Sequence, residues 1–387
     1  MKQKKILLVC WFDPSKYSMI IHHIDNIRNR SNNHIDIFNL FNNSITRCKF
    51  LLYSLFKKIY KIYNKDLEDQ KIDISSYDGY IIHNTISYDI NNVIAINNRF
   101  HPSLQDFTGF KILMKQDETL NTNLTFHLLN QWQFNLFLTC IPKDQWDIYF
   151  KTKVPSSLQV MHTLTGYVED RMKKFTFSQE SYRPIDIFYR GMLLPYFFGK
   201  LSYEKYFIGE EFKKICREYN LSSDISSNIK DRLHGDNWIK ALANSKATLA
   251  VESGASIFDW DGSLQKKEEA YKKEHPTATF KEVWEKFLKN FEGKINYGQV
   301  SPRHFEAAAT KTLQIMFEGN YSNIFIKDVH YLSLKKDFSN LEEIINKLKD
   351  KDLRKKITDK AFKDIILNEK YSYTTFIKEL DKNILTL

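Results

Sequence analysis

Ser301-Pro302-Arg303-His304-Phe305-Glu306-Ala307-Ala308-Ala309 sets a hydroxyl, a proline, a guanidinium and a carboxylate at the head of an alanine-rich apolar run. Proline has no N–H to lose in the first turn of a helix, and a serine just before it can cap the free amides. The spacing therefore predicts a helix that starts at Ser301. Aligned peptide dipoles leave about half a positive charge at such a start, and Arg303 adds a full one, which makes the segment a candidate anion site. Glu306 lies near the same end and is a candidate acceptor for ribose hydroxyls, while Ala307 to Ala309 permit close packing on a sheet. A nucleoside diphosphate fits this chemistry. Read alone, the segment fits an ordinary capped helix with a salt-bridged glutamate equally well.

Three further blocks carry groups that do chemistry. Tyr189-Arg190-Gly191 closes an apolar strand-like run, so Arg190 is expected at a strand's carboxyl end, where its fork matches two phosphate oxygens; Lys205 on the next helix adds a point charge. Together they would offset the charge of a departing diphosphate, which is commonly the largest catalytic effect. Pairing of Arg190 with a nearby carboxylate is the structural alternative. Glu252-Ser253-Gly254-Ala255-Ser256 follows the apolar run Ala247 to Val251 and offers hydroxyls and backbone amides to a phosphate or base. Asp259 and Asp261 flank Trp260; this pattern is more often a turn held by side-chain hydrogen bonds than a divalent-ion site, and no metal is expected. Gln116-Asp117-Glu118 ends another strand, which makes Asp117, the preferred residue, and Glu118 candidates for a general base or an orienting carboxylate. His162, at the end of a later strand, is a second candidate, though a strand-end histidine is commonly structural.

Taken in chain order, from about residue 78 to residue 340, the blocks resemble bacterial GT-B glycosyltransferases of the group 1 type. The resemblance implies an α/β chain of two Rossmann-like domains facing a central cleft and a nucleotide-sugar donor as substrate, with no cofactor. It places Arg190, Gly191, Lys205, Glu252, Ser253, Gly254, Ser256, Ser301, Pro302, Arg303 and Glu306 around the donor. It also implies transfer to a hydroxyl of a glycan or lipid-linked acceptor, as in surface-polysaccharide assembly. One departure stands out: Gly298 occupies the position of the first glutamate of the family's pair, eight residues before Glu306. Two alternatives stay open, a nucleotide-sugar epimerase of the same fold and a non-catalytic nucleotide-sugar- or glycan-binding module.

These residues need elements to hold them. A chain of 387 residues with 42% hydrophobic and 14% aromatic residues suits two folded domains. Short apolar runs at Ile6–Val9, Ile35–Leu40, Gly79–His83, Lys111–Lys115, Leu136–Cys140 and Leu158–His162 alternate with helical or loop stretches, which implies a parallel sheet wrapped by helices. The same pattern restarts at Ile185 after a charged segment, Tyr167 to Pro184, read as a linker. Expected ranges are 1–170 for an acceptor-side domain, 183–370 for a nucleotide-sugar domain, and 371–387 for a helix crossing back to the first. Lys266 to Asn290 reads as a charged surface excursion.

No apolar run approaches the roughly 20 residues of a membrane span, and the Lys-rich start carries no signal-peptide pattern. Cys10, Cys48, Cys140 and Cys216 are scattered, which fits a reducing cytoplasm. A net charge of +10 favours acidic partners, and in the absence of a zinc-finger or RNA-recognition signature nucleic acid is not expected. Between Arg47 and Lys65, Leu51, Leu55, Phe56, Ile59 and Ile62 recur at helical spacing, with Lys57, Lys58, Lys61 and Lys65 on another face. The stretch is a candidate for peripheral contact with an anionic membrane at its cytoplasmic face; a helix packed on its own domain explains the pattern as well.

Overall fold

All six apolar runs of the N-terminal half become strands of one sheet, because each is too short for a helix; the inner four are buried nearly throughout and the two edge strands are half-buried. They are β1 (Lys5–Cys10), β2 (His34–Asn39), β4 (Gly79–Ile82), β6 (Phe110–Met114), β7 (Leu136–Thr139) and β8 (Gln159–His162). The computed structural model describes residues 3–14, 18–42, 71–175 and 183–387. The amphipathic stretch 47–65, with Cys48, lies outside these residues, as does part of the expected linker, 176–182. Sheet order is β2-β1-β4-β6-β7-β8, all parallel, with β3 (Ile72–Asp73) and β5 (Phe100–His101) forming a separate small pair. The direction of winding reverses between β1 and β4, and a crevice at the carboxyl ends of strands belongs at such a reversal.

The chain divides into two compact units, 1–139 with 150–162 and 377–387, and 140–149 with 163–376. Compared with the expected ranges, residues 140–149 and 163–170 belong to the second unit. Within the first, the end of helix Tyr373–Ile384 is tied down by Asp381, which accepts from Ser31 Oγ (2.6 Å), the Asn32 amide (2.7 Å) and Asn33 Nδ2 (3.0 Å).

The second unit carries a parallel sheet ordered β10-β9-β11-β12-β13: β9 (Ile185–Arg190), β10 (Ser223–Ser226), β11 (Ser245–Ala250), β12 (Leu313–Phe317) and β13 (Leu332–Leu334). Here the winding reverses between β9 and β11. Alternate residues serve opposite faces: Ile187, Tyr189, Ile315 and Phe317 join Ile208, Phe212 and Ile344, whereas Phe188 packs with Trp238 and Ala307, and Met316 with Phe305 and Ala308. The small side chains of Ala307 to Ala309 are fully buried, as their size predicts. Strands β10 and β13 escaped the sequence reading because both are short edge strands, the first with a polar sequence.

One expectation changes. Tyr167 to Phe175 is not a free linker: Tyr167 stacks on Phe376 (centroids 4.5 Å apart), Val168 pairs with Ser372, and Met172 is in the core. The charged stretch after Lys266 is largely exposed, as expected, and is anchored at buried points. Helix Ser263–Glu274 brings buried Glu268 to the amides of Tyr196 (2.9 Å) and Phe197 (2.6 Å), and Phe280 stacks on Tyr203 at 4.2 Å.

Candidate functional site

The Ser301 segment forms the helix Pro302–Ala309, with Ser301 in the extended N-cap conformation and Pro302 at its first position. The partner in the cap is His304. Its Nδ1 accepts from the Ser301 amide at 2.8 Å, so the neutral ring carries its proton on Nε2. Burial, with Arg303 and Lys205 adding like charge, lowers the His304 pKa to about 4, so the ring is neutral at physiological pH.

This helix start meets the switch point of the second unit. Arg303 Nη1 donates to the Arg190 carbonyl (2.7 Å) at the end of β9, and its guanidinium lies 4.7 Å over the Trp238 ring. Trp238 Nε1 in turn donates to Glu306 Oε2 at 2.8 Å. Glu306 is 3% exposed, and burial raises its pKa to about 7 against the opposing pull of Trp238 and Arg303. Arg303, Trp238 and Glu306 therefore form one connected group, and Lys205 is close enough for its charge to act on His304. Trp238 escaped the sequence reading. A tryptophan on the apolar face of an amphipathic helix gives no signal beyond core packing.

Arg190 itself is not aimed at a ligand. Its Nε donates to the Asp231 carbonyl (2.9 Å), Nη1 to the carbonyls of Tyr189 (3.0 Å) and Asp224 (2.9 Å), and Nη2 to the Asp224 carboxylate at 2.7 Å. The carboxylate-pairing alternative is the observed one, because β10 presents Asp224 beside β9. Gly191 admits the neighbouring helix rather than a ligand: a Cβ there would stand 2.2 Å from the Lys205 carbonyl oxygen.

In the loop after β11, Ser253 exchanges two backbone hydrogen bonds with Gln299 (2.7 and 2.9 Å), and Gly254, at φ +94°, packs against the Tyr297 carbonyl. Ser256 Oγ accepts from the Leu201 amide at 3.1 Å, capping helix Lys200–Glu218, so this hydroxyl is structural. Glu252 Oε1 accepts from the amides of Asn320 and Tyr321, both at 2.9 Å. Asp259 and Asp261 hold turns: Asp259 accepts from the amides of Leu264 (3.2 Å) and Gln265 (2.9 Å), and Asp261 from that of Ser263 (3.0 Å).

In the first unit Asp117 and Glu118 lie in the turn that follows β6, one exposed and the other buried. Glu118 is fully buried, accepts from Thr139 Oγ1 and lies near Lys115, whose pKa burial lowers while Glu118 and Asp117 oppose that shift. It serves the interior. Asp117 is exposed, and its charge adds to the effect of burial in raising the pKa of the Tyr88 phenol. His162 is half-buried at the end of β8, in register with Thr139.

At the β1/β4 reversal lies a pair that sequence spacing does not reveal. His23 Nδ1 is 2.8 Å from His83 Nε2, and the Thr85 amide donates to His83 Nδ1 at 3.2 Å, so His83 carries its proton at Nε2 and passes a hydrogen bond to His23. Burial lowers both pKa values, that of His23 to about 4.

No family model and no curated protein sequence matches this chain. Solved structures match it across its length. Anabaena Alr3699/HepE in complex with UDP-glucose is 10% identical, with 100% of each chain covered and a TM-score of 0.53. An alpha-glucosyltransferase in complex with UDP-glucose and DNA containing an abasic site has the same identity, coverage and TM-score. TarM is 10% identical over 99% of each chain, with a TM-score of 0.50. The fold is GT-B, as in glycosyltransferases. Identity at this level carries the fold to this chain and leaves the chemistry to its own residues.

Proposed function

We propose that this chain is a glycosyltransferase that moves a sugar, most simply a hexose, from a nucleotide-activated donor to a hydroxyl of a glycan or lipid-linked acceptor. The observation that carries the reading is the convergence of the Pro302–Ala309 helix start, Arg303 and Lys205 on the carboxyl ends of β9 and β11. A diphosphate is the ligand that such a cluster of amides and cations suits, and Glu306 beside it offers an acceptor to a ribose. Its dianion would be bound, and the leaving charge offset, by Arg303 and Lys205 without a metal ion. Asp117, exposed at the end of β6, is the residue proposed to orient or deprotonate the acceptor hydroxyl. Surface-polysaccharide assembly at the cytoplasmic membrane face, with 47–65 as the peripheral contact, is the setting this reading favours. Its support is the sequence pattern of that stretch.

The reading is tested by a thermal-shift panel of UDP, GDP, CMP, ADP and dTDP, because a ligand that binds only the folded chain must stabilise it, by about 2.7 kcal/mol at 100 times its Kd. At least one nucleoside diphosphate should raise the Tm, and Arg303→Ala should remove that rise. A panel without any shift sinks the proposal. Incubation of the matching sugar nucleotide with glycan, lipid-linked or duplex-DNA acceptors then separates transfer from mere binding.

A further inference from the structure

We infer that Glu252 is the hydrogen-bond acceptor for hydroxyls of the donor's sugar, and that it selects a neutral sugar over one that bears a carboxylate. The inference rests on the nucleotide-sugar reading above. It starts from a niche that the fold keeps open around one carboxylate. A Cβ on Gly298 would stand 2.4 Å from Glu252 Oε1 and 2.6 Å from its Cδ, and a Cβ on Gly319 would stand 2.7 Å from Cδ. Neither glycine is among the residues with positive φ, so backbone conformation does not demand glycine at either place. Space does. The Ser253–Gln299 bridge holds residue 298 alongside, and the amides of Asn320 and Tyr321 fix Oε1 from the other side.

Several other carboxylates of this unit have either a cation partner or both oxygens held by protein. Glu268 accepts from two amides and pairs with Lys272 at 2.8 Å, Glu204 pairs with Lys336 at 2.7 Å, and each oxygen of Asp259 takes an amide. Among the described residues Glu252 has no cation partner, and its Oε2 accepts no hydrogen bond. Its charge opposes ionisation of Glu204, Tyr321 and Tyr331. A half-buried anion with one oxygen open, at the carboxyl end of a switch-point strand, is completed by a neutral donor. A sugar hydroxyl supplies that hydrogen bond and brings no charge. A uronate would bring a second negative charge beside Glu252 and Glu204, which costs binding.

The test is calorimetric titration of the full chain with UDP, UDP-glucose and UDP-glucuronate, and in parallel with GDP and GDP-mannose. Wild type should bind the neutral sugar nucleotide more tightly than its diphosphate, and UDP-glucuronate about tenfold more weakly than UDP-glucose. Glu252→Gln keeps the size and the amide contacts; it should lose about tenfold for the neutral sugar nucleotide, lose the discrimination against glucuronate, and hold the diphosphate within about twofold. Gly298→Glu alone should lower the Tm by crowding two carboxylates, whereas Glu252→Gly combined with Gly298→Glu returns a single carboxylate to the niche and should recover sugar affinity. An unchanged ratio of sugar-nucleotide to diphosphate affinity in Glu252→Gln overturns the inference and leaves the function standing. Equal loss for both ligands also overturns it, since Glu252 would then only support the loop. Wild type that binds no nucleotide overturns both.

Discussion

Glu306 was legible as a carboxylate near a helix start, but its state was not. Trp238 Nε1 takes one of its oxygens at 2.8 Å and the surrounding core leaves it 3% exposed, so burial lifts its pKa from the ordinary 4.5 to about 7. A carboxyl whose folded pKa is raised contributes stability below its unfolded pKa, and that contribution is lost as pH rises through the folded value. A rise from the ordinary value to about 7 corresponds to about 3 kcal/mol. Wild type should therefore lose stability relative to Glu306→Gln between about pH 5 and pH 8, by an amount of that order, in denaturant titrations at each pH. Parallel pH profiles would show that Glu306 is ionised in the folded chain throughout. Glu252 makes the same point from the other side: its sequence position says nothing of Gly298 and Gly319, which make room for it.

At the scale of elements, the strand end at Arg190 was read correctly and its side chain was not. Sequence periodicity places Arg190 at the close of β9, but only the pairing of β10 with β9 brings the Asp224 carboxylate and the carbonyls of Asp224 and Asp231 to its fork. That makes Arg190 a clasp between strands and the following turn, with its side chain 12% exposed. Arg190→Ala should cost about 1.5–3 kcal/mol, the range for lost hydrogen bonds to a charged group, and lower the Tm by several degrees. Its nucleotide-induced thermal shift should survive. Loss of that shift with an unchanged Tm would return Arg190 to the phosphate. Arg303 is the arginine expected to respond the other way, because its Nη1 reaches only a backbone carbonyl and its ring contact is with Trp238.

At the scale of the whole molecule, residues 377–387 belong to the first unit although most of the preceding chain builds the second. Asp381 is 4% exposed and accepts three hydrogen bonds from Ser31, Asn32 and Asn33. Asp381→Ala should cost about 2–3 kcal/mol in denaturant titration, with Asp381→Asn milder because it keeps one acceptor oxygen. A change under about 0.5 kcal/mol would mean that the chain end is not anchored there. By itself, the sequence determined the α/β class, the six strands of the first sheet, β9 and β11, and the capped helix at Ser301. Those features follow from local chemistry: apolar period, chain length between breaks, and a serine–proline start. Tertiary structure alone decided which charged groups are free to act. Arg190 and Glu118 are spent on partners 34 and 21 residues away, His23 meets His83 across 60, and Glu252 keeps an open oxygen because two distant glycines yield it space. Partner choice depends on which strands lie side by side, and no local pattern encodes that.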